Sequence, residues 1–299
     1  MTTGVVLMTY GAPSGAADVP GYLARVRGGK EPAAELVREF VARYERIGWS
    51  PLVERTRAQA SALEVELGAG WRARAGMRFS APSIADAVLA LEDVGSVVGV
   101  VMSPQFSPLL MAGYGRALEE AAAARGTRTT LVRAWHREPA FVDTLAALVR
   151  DVLAEQDPDG PIVFTAHSLP RRVFDAEPGY VAQLRETAEL VAARLGLASG
   201  AWRWAYQSAG HTQEEWLRPD LKELFLAIAQ GGARDVIVVP VQFLADHLEV
   251  LYDLDVATAA EAATHGLRYR RIRMPNTDPR FIAGLADVAR RAARETVAA

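Results

Sequence analysis

The chain has 299 residues, of which 50% are hydrophobic and 23% charged, a composition typical of a folded protein and unlike that of a disordered one. A total of 33 lysine and arginine residues against 36 acidic residues gives a net charge of −3, so no basic excess favours nucleic acid as a partner. Because the chain has no cysteine, disulfides, thiolate zinc sites, cysteine nucleophiles and cysteine-ligated iron–sulfur clusters are excluded.

The sequence also predicts a cytoplasmic protein without a transmembrane segment. No apolar run approaches the roughly 20 residues that span a bilayer. The opening residues, MTTGVVLMTYG, lack the basic flank and the cleavage site of a signal peptide.

Short β-branched runs alternate with longer amphipathic stretches, the pattern of βαβ units and a parallel sheet. We predict strands near residues 4–9, 75–79, 97–102, 130–134, 161–166, 201–207, 235–240 and 268–273. Proline at or near a first helical turn predicts helix starts at Glu31-Pro32, Ser50-Pro51 and Asp278-Pro279.

A weak internal repeat predicts two similar α/β lobes. Residues 4–13 resemble 161–170, and 96–108 resemble 235–247. Since ligands bind beyond the carboxyl ends of parallel strands, Tyr10, Gln105, His167 and residues 242–249 should face one cleft. The DPDG turn in 151–160 divides lobe 1–155 from lobe 156–299, and the last helix is a candidate to pack back on the first lobe. Any buried strand followed by a loop gives a similar pattern, so the repeat alone leaves this open.

Of the five histidines, His167 lies where chemistry usually sits, directly after the apolar run IVFTA. An imidazole there can accept a proton or ligate a divalent metal. The alternative is a histidine that only caps the following turn.

Residues 246–255, DHLEVLYDLD, are predicted to start a helix, with Asp246 a candidate N-cap. Glu249 and Asp253 are spaced i,i+4 and would share one helical face, with His247 and Leu251 turned elsewhere. Paired carboxylates suggest a shared cation or proton traffic, although solvated acidic faces are common.

Two further regions have features that suit a flat, acidic ligand. The N-terminal half carries polar or aromatic residues beside amphipathic helices: Tyr10, Arg27, Lys30, Arg43, Tyr44 and Ser50. Arginine binds carboxylates in a bidentate manner, although most helical arginines are solvated. The segment 202–221, with three tryptophans and a QSAGHT loop, is either a stacking surface or an aromatic core.

Together these segments resemble ferrochelatases, which insert ferrous iron into a porphyrin in haem biosynthesis. The resemblance covers nearly the whole chain, in the family's order: LMTYGAP, RVRGGKEP, RYERIGWSPL, SPQFSP, FTAHSLP, YQSAGHTQEEWLRPDL, PVQFLADHLEVLYDLD and RMPNTDPRFI. FTAHSLP and DHLEVLYDLD, in this order and at this separation, are its most specific motifs.

The resemblance implies two Rossmann-like lobes, each a parallel four-stranded sheet flanked by helices, with a porphyrin cleft between them. It also implies that His167 and Glu249 are catalytic, and that His167, Glu249, Tyr10 and Asp253 contact the metal. Residues similar to porphyrin-contacting ones of the Gram-positive type are Tyr10, Arg27, Arg43, Tyr44 and Ser50.

The sequence departs from the family pattern in three places. Ala257 interrupts an acidic ladder beyond Asp253, Phe79 follows Arg78 where relatives often have histidine, and the loop before Ser50 is one residue short. The iron–sulfur cluster of some relatives cannot form here, because there is no cysteine.

The expected activity is that of a lyase acting on coproporphyrin III to give coprohaem, with Fe²⁺ as substrate and no other cofactor. Protoporphyrin IX is the alternative substrate for the same reaction. The alternative functions are a non-catalytic tetrapyrrole carrier and a chelatase for cobalt or nickel. A carrier needs an axial ligand but no carboxylate base opposite it, so His167 and Glu249 together favour an enzyme. The expected partners are the porphyrin and iron, with transient contacts to neighbouring haem-pathway enzymes, and the expected state is a monomer.

Overall fold

A computed structural model describes residues 2–155, 158–198, 200–210 and 213–298, with side chains as far as residue 295. The strands are β1 (Thr2–Thr9), β2 (Trp71–Met77), β3 (Val94–Val101), β4 (Arg128–Leu131), β5 (Ile162–His167), β6 (Trp202–Gln207), β7 (Asp235–Pro240) and β8 (Arg268–Arg271). They form two four-stranded sheets, and all strand pairs are parallel. The two sheets confirm the predicted fold class.

The sheets have the same strand order, β2-β1-β3-β4 in the first and β6-β5-β7-β8 in the second. We call the elements around the first sheet the first lobe and those around the second sheet the second lobe. Within each sheet, the strand that comes first in the chain (β1 or β5) and the third strand (β3 or β7) lie side by side at the centre. The carboxyl ends of β1 and β5 therefore occupy equivalent places, at Tyr10 and His167.

The helices lie on both faces of each sheet. They are α1 (Val19–Val26), α2 (Ala34–Arg46), α3 (Leu52–Leu67), α4 (Ile84–Leu89), α5 (Pro108–Ala123), α6 (Pro139–Glu155), α7 (Arg171–Ala176), α8 (Pro178–Leu195), α9 (Leu221–Gln230), α10 (Ala259–Thr264) and α11 (Pro279–Ala298). A short 3₁₀ turn precedes α1 at Ala16–Asp18, and a π-helix runs over Glu249–Thr258. No described helix is long and apolar enough to cross a membrane.

The helix starts follow the proline signals. Pro51 stands at the N-cap of α3, and Pro279 is the first residue of α11, where its missing N–H leaves no bond unmade. Asp278 accepts a hydrogen bond from the backbone N–H of Arg280 at 3.0 Å, which satisfies a further free donor of this turn. The helix after Pro32 begins at Ala34.

The strand predictions were least accurate at the edges of the sheets. β2 begins at Trp71 instead of residue 75, because an edge strand alternates exposed arginines with buried alanines and lacks a continuous apolar run. β4 and β8 end earlier than predicted. Pairing nevertheless continues past both, because Val132 N–H donates to the Gly99 carbonyl and Ile272 N–H to the Val238 carbonyl.

One apolar core joins the two lobes. Leu7 and Val100 of the first sheet and Phe164 and Val239 of the second belong to the same buried cluster. Helix α6 packs against α8 of the second lobe, whereas α11 packs against α3, β3 and β4 of the first. The two helices also pack against each other, with Phe141 and Phe281 rings 6.4 Å apart, so each lobe is partly covered by a helix from the other half of the chain.

Candidate active site between the lobes

A cavity of about 640 Å³ opens between the carboxyl ends of the two sheets. The first lobe lines it with Met8, Tyr10 and Tyr44, and the second lobe with His167 and Glu249, among others. Of the predicted cleft-facing residues, Gln105 is wrongly placed. Its side chain is fully buried and donates to the Thr187 hydroxyl at 2.9 Å, because it joins the lobes instead of facing the cavity.

His167 ends β5 and is held by its neighbours on both sides. Its backbone N–H donates to Gln242 Oε1 at 3.0 Å, and Gln242 Nε2 in turn donates to the Tyr180 hydroxyl at 2.8 Å. Nδ1 of His167 lies 2.5 Å from the Ser168 carbonyl. A carbonyl oxygen can only accept, so Nδ1 carries the hydrogen and Nε2 keeps its lone pair when the ring is neutral.

Nε2 of His167 faces Glu249, with 3.7 Å between Nε2 and Oε2. His247 approaches the same carboxylate oxygen from the other side, at 3.8 Å from its Nε2, and its Nδ1 lies 2.9 Å from the Ala245 carbonyl. Both imidazoles therefore present an acceptor nitrogen to a carboxylate when neutral. The three groups can be neighbours without repulsion only when a proton or a cation lies among them.

The expectation that His247 turns away from the carboxylates is wrong. The helix begins at Glu249, so His247 lies in the preceding loop and does not follow the helical spacing. The N-cap expectation for Asp246 is wrong for the same reason: its carboxylate accepts from Asn276 Nδ2 at 2.8 Å and pairs with Arg55.

The charges around Glu249 keep it ionised. Burial alone would raise the pKa of this carboxyl, but the charge of His167 and the hydrogen bond and charge of His247 lower the pKa to about 2. About a third of the side chain is open to the cavity, so the carboxylate is accessible to a ligand.

Asp253 lies one turn further along the π-helix. Its pKa is raised, because burial and the nearby charge of Glu249 together outweigh the hydrogen bond with Ser208 and the charges of Arg43 and His167. Arg43 Nη1 lies 3.6 Å from Asp253 Oδ1, and Arg43 also pairs with Glu39. Arg43 contacts the π-helix again through the Tyr252 ring, 5.2 Å from the guanidinium carbon.

Tyr10 stands on the first-lobe wall, across the cavity from this group. Its side chain is 46% exposed, unusual for a tyrosine beside a core strand, and it packs edge-on against Phe79 at 4.7 Å. Partial burial raises the pKa of the phenol, Arg78 opposes this shift, and Glu249 reinforces it. Charge from both walls therefore acts on the same phenol.

The predicted porphyrin-contacting residues are only partly brought together. Tyr44 and Ser50 line the cavity, with the Tyr44 ring stacked on Trp49 at 5.6 Å. Burial first, and Glu249 second, raise the pKa of Tyr44. Arg27 is exposed at the end of α1, whereas Arg43 makes the ion pairs described above; neither belongs to the cavity lining.

The tryptophans of segment 202–221 belong mainly to the core. Trp202 packs edge-on against Phe164 at 5.3 Å, and Trp204 is 8% exposed. Trp216 lies nearest the site, with its ring 6.5 Å from that of His167. The core interpretation therefore holds for the first two. Within the predicted loop, His211 and Thr212 lie outside the described residues.

Sequence reasoning missed two residues of the site. Gln59 of α3 is fully buried and donates from Nε2 to the carbonyls of Leu244 and Asn276, at 3.1 and 2.9 Å, which fixes the loop that carries His247. Nothing in its sequence context singles it out. Arg78 was noted only because Phe79 follows it, yet it also lines the cavity. Among the described residues, no group of three or more His, Asp or Glu is arranged to hold a metal ion.

The profile of the ferrochelatase family matches residues 2–293. A ferrochelatase of Deinococcus radiodurans is 37% identical over 98% of this chain and 96% of its own length. A coproporphyrin III ferrochelatase of Halalkalibacterium halodurans is 37% identical over 95% of this chain and 95% of its own length. One of Bacillus subtilis is 36% identical over 95% of this chain and 96% of its own length.

Two solved structures with a similar fold are chelatases of much lower sequence identity. SirB from Bacillus subtilis with Fe³⁺ has a TM-score of 0.60 at 10% identity, covering 99% of this chain and 96% of SirB. CbiX, described as the terminal enzyme of sirohaem biosynthesis in denitrifying bacteria, has a TM-score of 0.56 at 14% identity. The likeness covers 98% of this chain and 99% of CbiX. These likenesses concern the fold, while the family profile and the close relatives identify the chain: it belongs to the ferrochelatase family.

Proposed function

We propose that the protein inserts Fe²⁺ into coproporphyrin III, giving coprohaem, and is thus a lyase that forms metal–nitrogen bonds. One observation carries the proposal: the Nε2 atom of His167 faces the Glu249 carboxylate inside a cavity that both lobes line. The names of relatives such as the Bacillus subtilis enzyme support the choice of porphyrin.

The reaction exchanges two pyrrole protons for one ferrous ion, so the site must first remove protons. The His167 tautomer suits this task, because Nδ1 donates to the Ser168 carbonyl and leaves the Nε2 lone pair free. The imidazolium that forms lies beside the ionised Glu249 carboxylate, which stabilises the new charge. His167 is therefore the general base and Glu249 the group that supports it.

Protons then have to leave the cavity, and Asp253 is placed to accept them. In a π-helix the turn is wider than in an α-helix, yet residues four apart still lie on nearly the same side. The raised pKa of Asp253 favours uptake of a proton from the direction of Glu249. We propose that Glu249 and Asp253 pass protons outward or hydrated iron inward along this helix, even though the ladder ends at Ala257.

The first lobe holds the ring. Tyr44 and Ser50 offer hydroxyl groups to the porphyrin, and Tyr10 offers a phenol oxygen on the opposite side from His167. Hard oxygen donors such as a phenolate and carboxylates, together with imidazole, suit iron. Arg27 and Arg43 supply positive charge at α1 and α2, where we propose that they attract the acid groups of the porphyrin.

The experiment that tests the proposal is an anaerobic assay of Fe²⁺ with coproporphyrin III and protoporphyrin IX in parallel. We expect the absorption bands of the free porphyrin to be replaced by those of the metal complex with coproporphyrin III first. Insertion of iron into protoporphyrin IX alone would mean that protoporphyrin IX, and not coproporphyrin III, is the substrate. Binding of porphyrin and haem without insertion into either ring would support a carrier and overturn the proposal.

The remaining expectations stay predictions. We propose that the enzyme acts as a monomer in the cytoplasm, contacts neighbouring haem-pathway enzymes transiently and needs no resident cofactor. Sedimentation of the purified protein measures the oligomeric state. Metal analysis of the active protein before iron is added measures whether a bound cofactor is required.

A further inference from the structure

Arg78 stands in the cavity wall next to Tyr10. Two backbone hydrogen bonds extend the pairing of β1 and β2 beyond their ends: Arg78 N–H donates to the Thr9 carbonyl at 2.9 Å, and Phe79 N–H to the Tyr10 carbonyl at 3.0 Å. These bonds fix the backbone of Arg78 relative to the exposed phenol. The arginine is therefore held at the ligand side of the first sheet.

The guanidinium is also held rigidly. Its carbon lies 4.8 Å from the centre of the Phe79 ring and 5.1 Å from that of Tyr114. It passes over Gly113, where an added Cβ would come within 2.2 Å of Nη2, so the missing side chain at this position makes room for it. Aromatic faces attract a guanidinium, which makes the orientation pre-organised.

This pre-organised cation is left with unused donors. Nη1 donates to the Leu110 carbonyl at 3.3 Å, and among the described residues the guanidinium of Arg78 has no other hydrogen bond and no carboxylate within 4.0 Å. Other arginines of the fold are paired with carboxylates. Arg271 makes a bidentate pair with Asp255, and Arg268 makes a bidentate pair with Asp235. A half-buried charge without a counter-ion is costly, and a bound anion would remove that cost.

The surroundings of Arg78 show what kind of anion fits. Arg78 lines the cavity and also a second, open pocket of about 740 Å³, called the outer pocket here, which only first-lobe residues line, so Arg78 borders both. A carboxylate on a flexible arm, attached to a ring inside the cavity, could reach the guanidinium and remain hydrated from the outer pocket. An isolated small anion would not need the cavity.

Arg78 also lies apart from the arginine near the π-helix. Arg43 contacts Asp253 and Tyr252, whereas Arg78 contacts Tyr114 and the Leu110 carbonyl of α5. The two cations therefore lie against different elements of the fold, and of the two only Arg78 belongs to the cavity lining. A ring with an acid arm on every pyrrole directs one arm towards Arg78 in any orientation, whereas a ring with its acid arms on one side directs none there when those arms point elsewhere.

We propose that Arg78 binds a carboxylate arm of the tetrapyrrole on the Tyr10 side and thereby selects rings with acid groups on all four pyrroles. This inference rests on the proposed function and deepens it. Coproporphyrin III carries a propionate on every pyrrole, whereas protoporphyrin IX carries two propionates and two vinyl groups. Arg78 is thus a specificity residue, distinct from the proton-transfer group of the second lobe.

The test compares Arg78→Met and Arg78→Lys with the wild-type protein, using both porphyrins. A charge-assisted hydrogen bond lost on substitution predicts that Arg78→Met weakens binding of metal-free coproporphyrin III about 10- to 100-fold. Binding of protoporphyrin IX should change less than about threefold, and Arg78→Lys should recover part of the loss. Fluorescence titration measures both dissociation constants without any turnover.

Two controls make the result decisive. Arg116→Met removes the same charge from an exposed position on α5, so it should leave both dissociation constants unchanged. His167→Ala should reduce insertion into any porphyrin while keeping the difference in binding, which separates this inference from the proposed function. The role of Arg78 would be overturned if a folded Arg78→Met protein bound both porphyrins equally more weakly than wild type. It would also be overturned if neither dissociation constant changed.

Discussion

The two lobes share a strand order but place different side chains at the cavity. At the equivalent position after the first strand of each sheet, the first lobe places Tyr10 and the second lobe places His167. The second-lobe wall adds the imidazole of His247 and the carboxylate of Glu249, while the first-lobe wall adds aromatic and hydroxyl groups and the cation of Arg78. We therefore propose that the same topology supports proton transfer on one wall and ring binding on the other.

This difference arises from the segments that connect the central strands to the next helix. After β7, the chain forms a loop and then a π-helix that brings Glu249 towards the end of β5. After β3, the corresponding loop leads into α5, and its Gln105 is buried between the lobes instead of in the cavity. Equivalent strand ends therefore set where a site can form, but the loops beyond them decide its chemistry.

The largest effect on turnover is expected when the proposed general base is removed. His167→Ala should lower the turnover of metal insertion at least about 100-fold, because a well-placed general base contributes about 10²–10⁴ in rate. Porphyrin binding and the melting temperature should stay close to wild type, since we propose that the first-lobe wall binds the ring. Stopped assays and fluorescence titration measure the two properties separately, and near-normal turnover would remove the base assignment.

The next largest effect is expected at Glu249. Glu249→Gln keeps the shape but loses the charge that supports the imidazolium, so turnover should fall about 10- to 100-fold. Gln242→Glu is not a suitable control, because Gln242 bonds directly to the His167 backbone. Asp255→Asn is better, because Asp255 pairs with Arg271 outside the cavity and its loss should leave turnover unchanged.

The same variant also predicts a pH effect on stability. The pKa of Glu249 lies at about 2 in the folded protein, below its ordinary 4.5, so its charge stabilises the fold above about pH 4.5. That contribution is lost as the pH falls from about 4.5 to about 2. Glu249→Gln lacks it, so its melting temperature should fall less steeply than that of wild type across this interval; parallel curves would contradict the pKa shift.

The sequence predicted both sheets, because buried parallel strands such as VIVVP stand out as apolar runs. It also singled out His167 and Glu249, because their motifs are specific to a family. It could not place His247, since the start of the helix at Glu249 depends on tertiary packing, nor predict a π-helix from a pattern that fits an α-helix.

Arg78 and Gln59 show a different limit of the sequence. Their significance depends on contacts between segments far apart in the chain: Gln59 donates to Leu244, and Arg78 occupies the space that Gly113 leaves open. Neither residue type is rare, and neither stands in a diagnostic motif. Only the folded chain shows that one joins the lobes and that the other is a cation facing the cavity.

A smaller effect, with opposite signs for activity and stability, is expected at Asp253. Its pKa is raised above the ordinary 3.8 by burial and Glu249, so ionisation costs stability as the pH rises. Asp253→Asn should therefore raise the melting temperature at neutral pH by about 1–4 °C and lose this gain below about pH 3.8. Turnover should fall about 3- to 10-fold if Asp253 relays protons.

Calorimetry and initial rates on the same preparation test both halves of this prediction. Glu261→Gln, one helix further along, is the matched control, because its contact is with His265 outside the cavity. A lower melting temperature for Asp253→Asn would mean that its pair with Arg43 outweighs the repulsion from Glu249. Unchanged turnover would restrict proton transfer to His167 and Glu249.

The smallest effect on rate is expected at Tyr10, which we propose as the metal contact of the first-lobe wall. Tyr10→Phe removes the phenol oxygen but keeps the edge-on packing against Phe79, so the fold and porphyrin binding should be preserved. Because we propose that proton removal occurs on the opposite wall, turnover should change less than about threefold. If Tyr10 binds iron in the product, the absorption spectrum of the iron–porphyrin complex should shift. A large loss of turnover with an unchanged spectrum would instead assign Tyr10 to proton transfer and abolish the division between the walls.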